Sequence, residues 1–113
     1  MTVTIYHNPR CSKSRATLDL LQERGLTPTV VEYLESPPDA AELKKIISLL
    51  CLSPRDLLRK KEAKEAGLNG SGMNDDELVA AMVANPIVIE RPIVVANGKA
   101  ALGRPPESVL DIL

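Results

Sequence analysis

The segment TIYHNPRCSKSR, residues 4–15, brings a cysteine, a histidine and several cationic side chains close together in the chain. Its Cys11 could act as a nucleophile, bind a metal ion or lie buried as a structural thiol. If a helix begins near Ser12, Cys11 lies at its amino-terminal end, where unsatisfied N–H groups and the helix dipole favour a thiolate. We then expect the pKa of Cys11 to lie below the value of about 8.5 for a free cysteine. The same helix end would hold an oxyanion substrate against the sulfur.

The other cysteine of the chain, Cys51, helps to choose among these roles. The chain has a single histidine and neither a C-x-x-C pair nor metal-ligand spacing, which argues against a tetrahedral zinc site. Buried cysteines usually have apolar neighbours, whereas Cys11 is flanked by Arg10, Lys13 and Arg15, whose charges would also favour a thiolate. Cys51 lies in ISLLCLSP, so we interpret it as a buried structural cysteine, with a disulfide to Cys11 as the alternative.

His7 and Ser14 help to decide which kind of reaction Cys11 can carry out. His7 ends a predicted strand, and either a structural imidazole or an electrostatic partner of the thiolate fits that position. A tyrosine-phosphatase loop requires Cys-x5-Arg, but Thr17 occupies the arginine position. A dithiol thioredoxin requires a second cysteine where this chain has Ser14. Cys11 is therefore a monothiol that, once oxidised or adducted, needs an outside thiol to release it.

The order of the predicted elements indicates the fold. Strand 3–7, helix 12–24 and strand 27–34 form a β-α-β unit, and the Asn-Gly turn within 91–103 predicts a hairpin before a short final helix. The middle of the chain is predicted to form helices. The pattern predicts an α/β fold with a thioredoxin-like β-α-β and β-β-α core, in one domain over 1–113 with a helical insertion at about 38–86. In that fold the redox cysteine follows the first strand, as Cys11 does.

Composition excludes several classes of function. The 113 residues carry a formal net charge of -1, which gives no general attraction to nucleic acid or anionic membranes. The only aromatic residues are two tyrosines, so the chain offers no stacking platform for single-stranded nucleic acid. No apolar run approaches the length of about 20 residues of a spanning helix. We expect a cytoplasmic protein without nucleic-acid or membrane partners.

Four separated motifs, YHNPRCSKSR, LLRKKE, ERPIVV and LGRPPESVLDIL, resemble those of the glutaredoxin-coupled arsenate reductases across nearly the whole chain. The resemblance implies that Cys11 is the nucleophile and His7 its accompanying histidine. It also implies that Arg59, Arg91 and Arg104 bind the oxyanion, because guanidinium groups donate bidentate charge-assisted hydrogen bonds to tetrahedral anions. Arg59 could alternatively belong to a solvated charged helix face. The Arg91-Pro92 bond would be cis.

The same resemblance implies a reaction and its partners. Cys11 would attack arsenate to form a cysteine–arsenate intermediate, and glutathione with glutaredoxin would reduce it to arsenite. Glutathione is then a co-substrate, no cofactor is bound, and the protein acts as a monomer. Two alternatives remain: a thiol-sensing transcriptional regulator of the same fold that binds RNA polymerase, and a monothiol glutathione-dependent oxidoreductase. Such regulators typically carry C-x-x-C, which favours the enzyme here.

Overall fold

A computed structural model describes residues 2–68 and 72–113. Its residues group into two compact units, Met1–Ser36 with Arg91–Leu113, here called the sheet unit, and Pro37–Glu90, here called the helical unit. The helical unit corresponds to the insertion predicted at about 38–86. That residues 1–113 form one domain stays a prediction. The glycine-rich segment GLNGSG, residues 67–72, for which the sequence predicts a surface loop, falls partly on residues 69–71, which lie outside the described residues.

A four-stranded sheet forms the centre of the sheet unit. Strands β1 (Val3–His7), β2 (Thr29–Glu32), β3 (Ile93–Ala96) and β4 (Lys99–Leu102) are arranged in the order β2-β1-β3-β4. β1 pairs parallel with β2 and antiparallel with β3, and β3 pairs antiparallel with β4. Helix α1 (Ser12–Glu23) connects the two parallel strands. This is the β-α-β and β-β-α arrangement expected from the sequence, and the thioredoxin-like fold is confirmed.

The hydrophobic core of the sheet unit lies between the sheet, α1 and the final helix. Alternate residues of a strand share one face, and the register opposes Val3 to Ala96 and Ile5 to Val94. Leu21 of α1 packs against this face. Val109, from the 3-10 helix Pro106–Ile112 that replaces the predicted final helix, completes the cluster. The packing fixes the amino-terminal end of α1 relative to the end of β1.

Turn residues account for the ends of several elements. Gly25, with φ 77°, follows α1 in the left-handed conformation that commonly ends a helix. Asn97 and Gly98 have φ values of 56° and 70°, as a two-residue type I′ hairpin turn requires. β2 begins at Thr29, later than predicted, because Pro28, which has no N–H to donate to a neighbouring strand, precedes it. The peptide bonds Arg91-Pro92 and Arg104-Pro105 are both cis, which confirms the expectation for the first.

Apart from residues 69–71, the helical unit contains three α-helices with interspersed 3-10 helices. The α-helices are α2 (Ala40–Leu50), α3 (Lys60–Glu65) and α4 (Asp75–Ala84), and the 3-10 helices are Pro54–Leu57 and Pro86–Val88. Asp39 caps α2, since its Oδ1 accepts a 2.8 Å hydrogen bond from the Glu42 N–H. Among the described residues, no helix is long and apolar enough to cross a membrane.

The interpretation of Cys51 as a buried cysteine is wrong. Cys51 is exposed, and its backbone adopts the left-handed conformation with φ 59° where α2 ends. The helix closes through hydrogen bonds from Cys51 N–H to Ser48 O (3.0 Å) and from Leu52 N–H to Ile47 O (3.3 Å). This reversal of the chain turns the thiol out to solvent, although leucines precede and follow it in sequence. Both Cys51 and Cys11 are free thiols.

Candidate active site

Cys11 lies where the chain leaves β1 and enters α1. A turn over Asn8-Pro9-Arg10 connects the two elements, and the Cys11 N–H closes it by donating to Asn8 O at 3.0 Å. Cys11 is the N-cap residue of α1, in extended conformation, and its carbonyl accepts the Arg15 N–H at 3.0 Å. The first free N–H groups of the helix therefore point toward the Cys11 side chain.

The buried hydroxyl of Ser14 stabilises this turn through its hydrogen bonds. Ser14 is fully buried in the first turn of α1. Its Oγ accepts a hydrogen bond from Asn8 N–H at 3.0 Å and lies 2.6 Å from His7 Nδ1. The Asn8 side chain in turn accepts the Arg10 N–H at 3.0 Å. These bonds hold the turn before Cys11 against the helix after it.

Hydrogen bonds to sulfur favour the thiolate form of Cys11. Burial raises the pKa of the Cys11 thiol, but backbone hydrogen bonds from Ser14 and Lys13 and a side-chain hydrogen bond from Arg91 outweigh it. The charge of Arg91 acts in the same direction, so the pKa lies below its ordinary value. The lowered pKa agrees with the expectation from the sequence. Its causes are the helix end and Arg91 rather than the neighbouring cations.

Two of the three predicted arginines lie at Cys11. Arg91 precedes β3, is buried and donates to the sulfur. Arg104 follows β4 and is exposed; its Nη2 lies 3.7 Å from Cys11 Sγ. Arg104 Nε donates to the Arg91 carbonyl at 2.8 Å, which ties the two arginine segments together. The arrangement can present two guanidinium groups to an anion next to the nucleophile.

His7 is buried at the end of β1, with its Nδ1 directed at Ser14. Burial lowers the pKa of His7 below its usual value, although the Glu32 carboxylate raises it; Arg15 lowers it and Asp19 raises it to lesser degrees. The neutral form of the imidazole is therefore favoured. His7 contacts Ser14, which organises the turn before Cys11, and its role in catalysis stays a prediction.

Arg59 lies in the helical unit, at the N-cap of α3. Its Nε is 3.2 Å from Glu62 Oε2 and its Nη1 is 3.0 Å from Glu90 Oε1. Backbone hydrogen bonds from Arg59 N–H to Val88 O (2.8 Å) and from Glu90 N–H to Leu57 O (2.7 Å) hold the two segments side by side. Arg59 is therefore an ordered, partly buried cation rather than part of a solvated helix face. Its role toward an oxyanion stays a prediction.

Comparison with known proteins identifies the family. The model of the ArsC family matches residues 6–112, which is nearly the whole chain. The chain belongs to the ArsC family. An uncharacterized protein of Escherichia coli (strain K12), YfgD, is 57% identical over 98% of this chain and 96% of its own length. An arsenate reductase of Neisseria meningitidis is 51% identical over 98% of this chain and 97% of its own length. The solved arsenate reductase from Vibrio cholerae superimposes with a TM-score of 0.95 at 52% identity, covering 100% and 98% of the two chains.

Sequence reasoning missed two residues that shape the active-site region of this ArsC-family chain. Ser14 was noted only as the absence of a second cysteine, yet its hydroxyl organises the turn before Cys11. Gly103 was not singled out, yet a Cβ there would collide with Thr17 Oγ1 and lie 2.7 Å from Pro92 Cγ. Glycine at 103 therefore lets the segment before Arg104 approach α1. Its position between a strand and the Arg-Pro-Pro segment was the available signal.

The Cys11 region of this ArsC-family chain is a candidate site for nucleophilic attack on an anion. The Cys11 sulfur, whose thiolate form is favoured, lies beside two guanidinium groups, whose charge would offset the repulsion between a thiolate and an incoming oxyanion. Within residues 2–68 and 72–113, no cluster of three or more His, Cys, Asp or Glu side chains could hold a metal ion.

Proposed function

We propose that this chain reduces arsenate to arsenite, with glutathione and glutaredoxin supplying the two electrons. The observation that carries the proposal is the position of the Cys11 sulfur, which accepts a hydrogen bond from Arg91 and lies 3.7 Å from Arg104 Nη2. Arsenate is a tetrahedral dianion near neutral pH, and planar guanidinium groups match pairs of its oxygens. The names of the relatives from Neisseria meningitidis and Vibrio cholerae support the choice of substrate.

The proposed reaction begins at sulfur. The Cys11 thiolate attacks arsenic(V) and displaces an oxygen, which leaves as water after protonation, and a Cys11–arsenate adduct results. The glutathione thiol then adds at arsenic with loss of a second water. Arg91 and Arg104 stay on the remaining oxygens and offset their charge while both sulfur–arsenic bonds form.

Reduction follows when a glutaredoxin thiolate attacks the glutathione sulfur. The electron pair of the bond between arsenic and that sulfur passes to arsenic, which becomes arsenic(III), and glutathionylated glutaredoxin leaves. Water then displaces arsenite from Cys11 and restores the thiol. The outside thiols are needed because Ser14, and not a cysteine, occupies the position of a resolving thiol. We place this chemistry in the cytoplasm, where glutathione keeps thiols reduced, and in a monomer that binds no cofactor.

The test is a coupled assay containing the protein, arsenate, glutathione, glutaredoxin, glutathione reductase and NADPH. Arsenate-dependent NADPH consumption that is lost in Cys11→Ser and retained in Cys51→Ser is the expected result. Turnover of a glutathione mixed disulfide without any dependence on arsenate would instead identify a monothiol oxidoreductase. If neither substrate supported NADPH consumption, both enzyme assignments would be contradicted, and the RNA polymerase-binding regulator would be the remaining hypothesis.

Arg59 enters the proposal as the third oxyanion-binding arginine. The support is the resemblance of its LLRKKE segment and its fixed guanidinium, which Glu62 and Glu90 hold in one orientation. In the same assay, Arg59→Lys should raise the KM for arsenate, because a point charge does not reproduce the planar donor set. Arg55→Lys, an exposed arginine of the same unit, is the matched control. An unchanged KM in Arg59→Lys would remove Arg59 from the site.

A further inference from the structure

Two cations beside Cys11 have no part in the proposed oxyanion site. Arg10 precedes Cys11 and Lys13 lies in the first turn of α1, and both side chains are exposed. Within the part of the chain that the structure describes, neither charged group takes part in an ion pair or hydrogen bond. The third nearby cation is engaged elsewhere, since Arg15 Nη1 donates to Pro9 O at 3.1 Å.

The charges of Arg10 and Lys13 are not what stabilises the thiolate. Backbone N–H groups and the buried Arg91 lower the pKa of Cys11, and neither the Arg10 guanidinium nor the Lys13 ammonium is among the causes. Both side chains are nonetheless exposed, within two positions of Cys11 in the chain. Exposed cations next to a nucleophile raise the local concentration of anionic reactants and steer their approach.

We propose that Arg10 and Lys13 form a subsite for the carboxylates of an anionic low-molecular-weight thiol, of which glutathione is the example. The proposal rests on the proposed function, which requires such a thiol to reach Cys11. Glutathione carries two carboxylates and one ammonium group, so charge complementarity favours its approach from this side. The subsite is separate from the guanidinium groups of Arg91 and Arg104, to which the proposed function assigns the arsenate oxygens.

The distribution of acidic residues supports a local positive field at Cys11. The first turn of α1 contains no acidic residue. The acidic residues of the helix, Asp19 and Glu23, line a separate groove together with Glu107. At a rise of 1.5 Å per residue, Glu23 lies about 15 Å along the axis from Lys13. This exceeds the Debye length of about 8 Å at physiological ionic strength, and Asp19, about 9 Å along the axis from Lys13, lies just beyond it, so screening weakens the effect of both helix carboxylates on the field at Cys11.

Thiol–disulfide exchange at Cys11 tests the subsite without arsenate. The Cys11 thiolate attacks one sulfur of a symmetrical disulfide, a mixed disulfide with Cys11 forms, and the other half leaves as a thiolate. Three probes differ in charge: oxidised glutathione is anionic, 2-hydroxyethyl disulfide is neutral and cystamine is cationic. All measurements use a Cys51→Ser background, because Cys51 is also an exposed free thiol. Mass spectrometry follows the formation of each mixed disulfide.

The readout is the ratio of the rate constant for oxidised glutathione to that for 2-hydroxyethyl disulfide. A change in the pKa or geometry of Cys11 alters both rate constants together and cancels in this ratio. We expect Arg10→Glu and Lys13→Glu each to lower the ratio about fivefold at low ionic strength, with cystamine favoured in return. Added salt should shrink the difference, since the groups are exposed.

The matched control is Arg24→Glu, the same charge change at the other end of α1. Arg24 is exposed and lies about 20 Å along the helix from Cys11, so its reversal should leave the ratio unchanged. An unchanged ratio in both Arg10→Glu and Lys13→Glu would overturn the proposal. An equal loss in Arg24→Glu would also overturn it, because the effect would then belong to the net charge of the chain.

The exchange ratio tests the thiol subsite and arsenate turnover tests the proposed function, so either proposal can be refuted without the other. If the reversals change the ratio while the wild-type protein shows no arsenate-dependent NADPH consumption, the thiol subsite stands and the arsenate assignment falls. If arsenate is reduced while the ratio is insensitive to both reversals, the function stands and the subsite falls.

Discussion

Replacing Ser14 by alanine should disorganise the turn that carries Cys11. The Ser14 Oγ satisfies two buried partners, the Asn8 N–H at 3.0 Å and His7 Nδ1 at 2.6 Å. Both residues are nearly inaccessible, with exposures of 4% for Asn8 and 6% for His7, so water does not readily replace the hydroxyl. Each buried polar group left without its partner costs about 1–3 kcal/mol. We expect Ser14→Ala to lower the free energy of unfolding by about 3 kcal/mol.

The same substitution should change the reactivity of Cys11. The Ser14 N–H donates to the sulfur, and that donor is held in place by the bonds of its own side chain. Once the turn loosens, the pKa of Cys11 should move up toward the value of about 8.5 of a free cysteine. Denaturant unfolding measures the first effect. The pH dependence of iodoacetamide alkylation, in a Cys51→Ser background, measures the second.

Ser12→Ala is the matched control for Ser14→Ala. Ser12 is the first residue of α1 and is exposed, so removing its hydroxyl leaves no buried group without a partner. We expect its effect on unfolding to stay within about 0.5 kcal/mol. The reasoning about Ser14 would be refuted if the two alanine variants were equally stable, or if the alkylation midpoint did not move in Ser14→Ala.

Three further predictions follow from the sheet unit. Gly103→Ala should destabilise the protein by about 1–3 kcal/mol, because the new methyl group would collide with Thr17 and Pro92. Thermal unfolding measures this effect, and Gly72→Ala is the control, since no atom lies within 4 Å of a Cβ added at Gly72. The pKa of His7 is lowered in the folded protein, so the unfolded chain binds a proton more readily, and the free energy of unfolding should fall as pH drops below about 6.5. The urea midpoint of the wild-type protein should therefore fall between pH 7.5 and 5.5. If the urea midpoint of His7→Gln fell as steeply as that of the wild-type protein, His7 would be excluded as the cause. Arg91→Lys should reduce kcat/KM for arsenate and raise the pKa of Cys11, because a lysine does not present the planar donor group; wild-type kinetics would contradict the role of Arg91.

Local sequence signals were sufficient to place Cys11. The strand ending at His7, the Asn8-Pro9 turn and the helical periodicity after Ser12 each act over a few residues, so the position of the cysteine at a helix end was readable before any fold was known. The hairpin was predictable for the same reason, since Asn97-Gly98 supplies both positive φ values that its turn requires.

Interactions between distant segments were not readable in the same way. Glu62, three residues from Arg59, is a neighbour that helix geometry suggests, but Glu90 reaches Arg59 only because two segments pair through backbone hydrogen bonds. Gly103 and Thr17 meet through packing of the β4 end on α1. Cys51 was misread because leucines adjacent in sequence do not enclose a residue at a helix end that turns outward.

The chemistry of position 14 and the stability of the turn are coupled. A cysteine there would supply the second thiol of a dithiol pair, but sulfur is a weaker hydrogen-bond donor and acceptor than the hydroxyl that now joins His7 and Asn8. The same change would enlarge a side chain in a fully buried site. Gaining an internal resolving thiol would therefore weaken the turn that positions Cys11. A serine at 14 keeps that turn ordered, and it leaves the release of Cys11 from its adducts to thiols arriving from solvent.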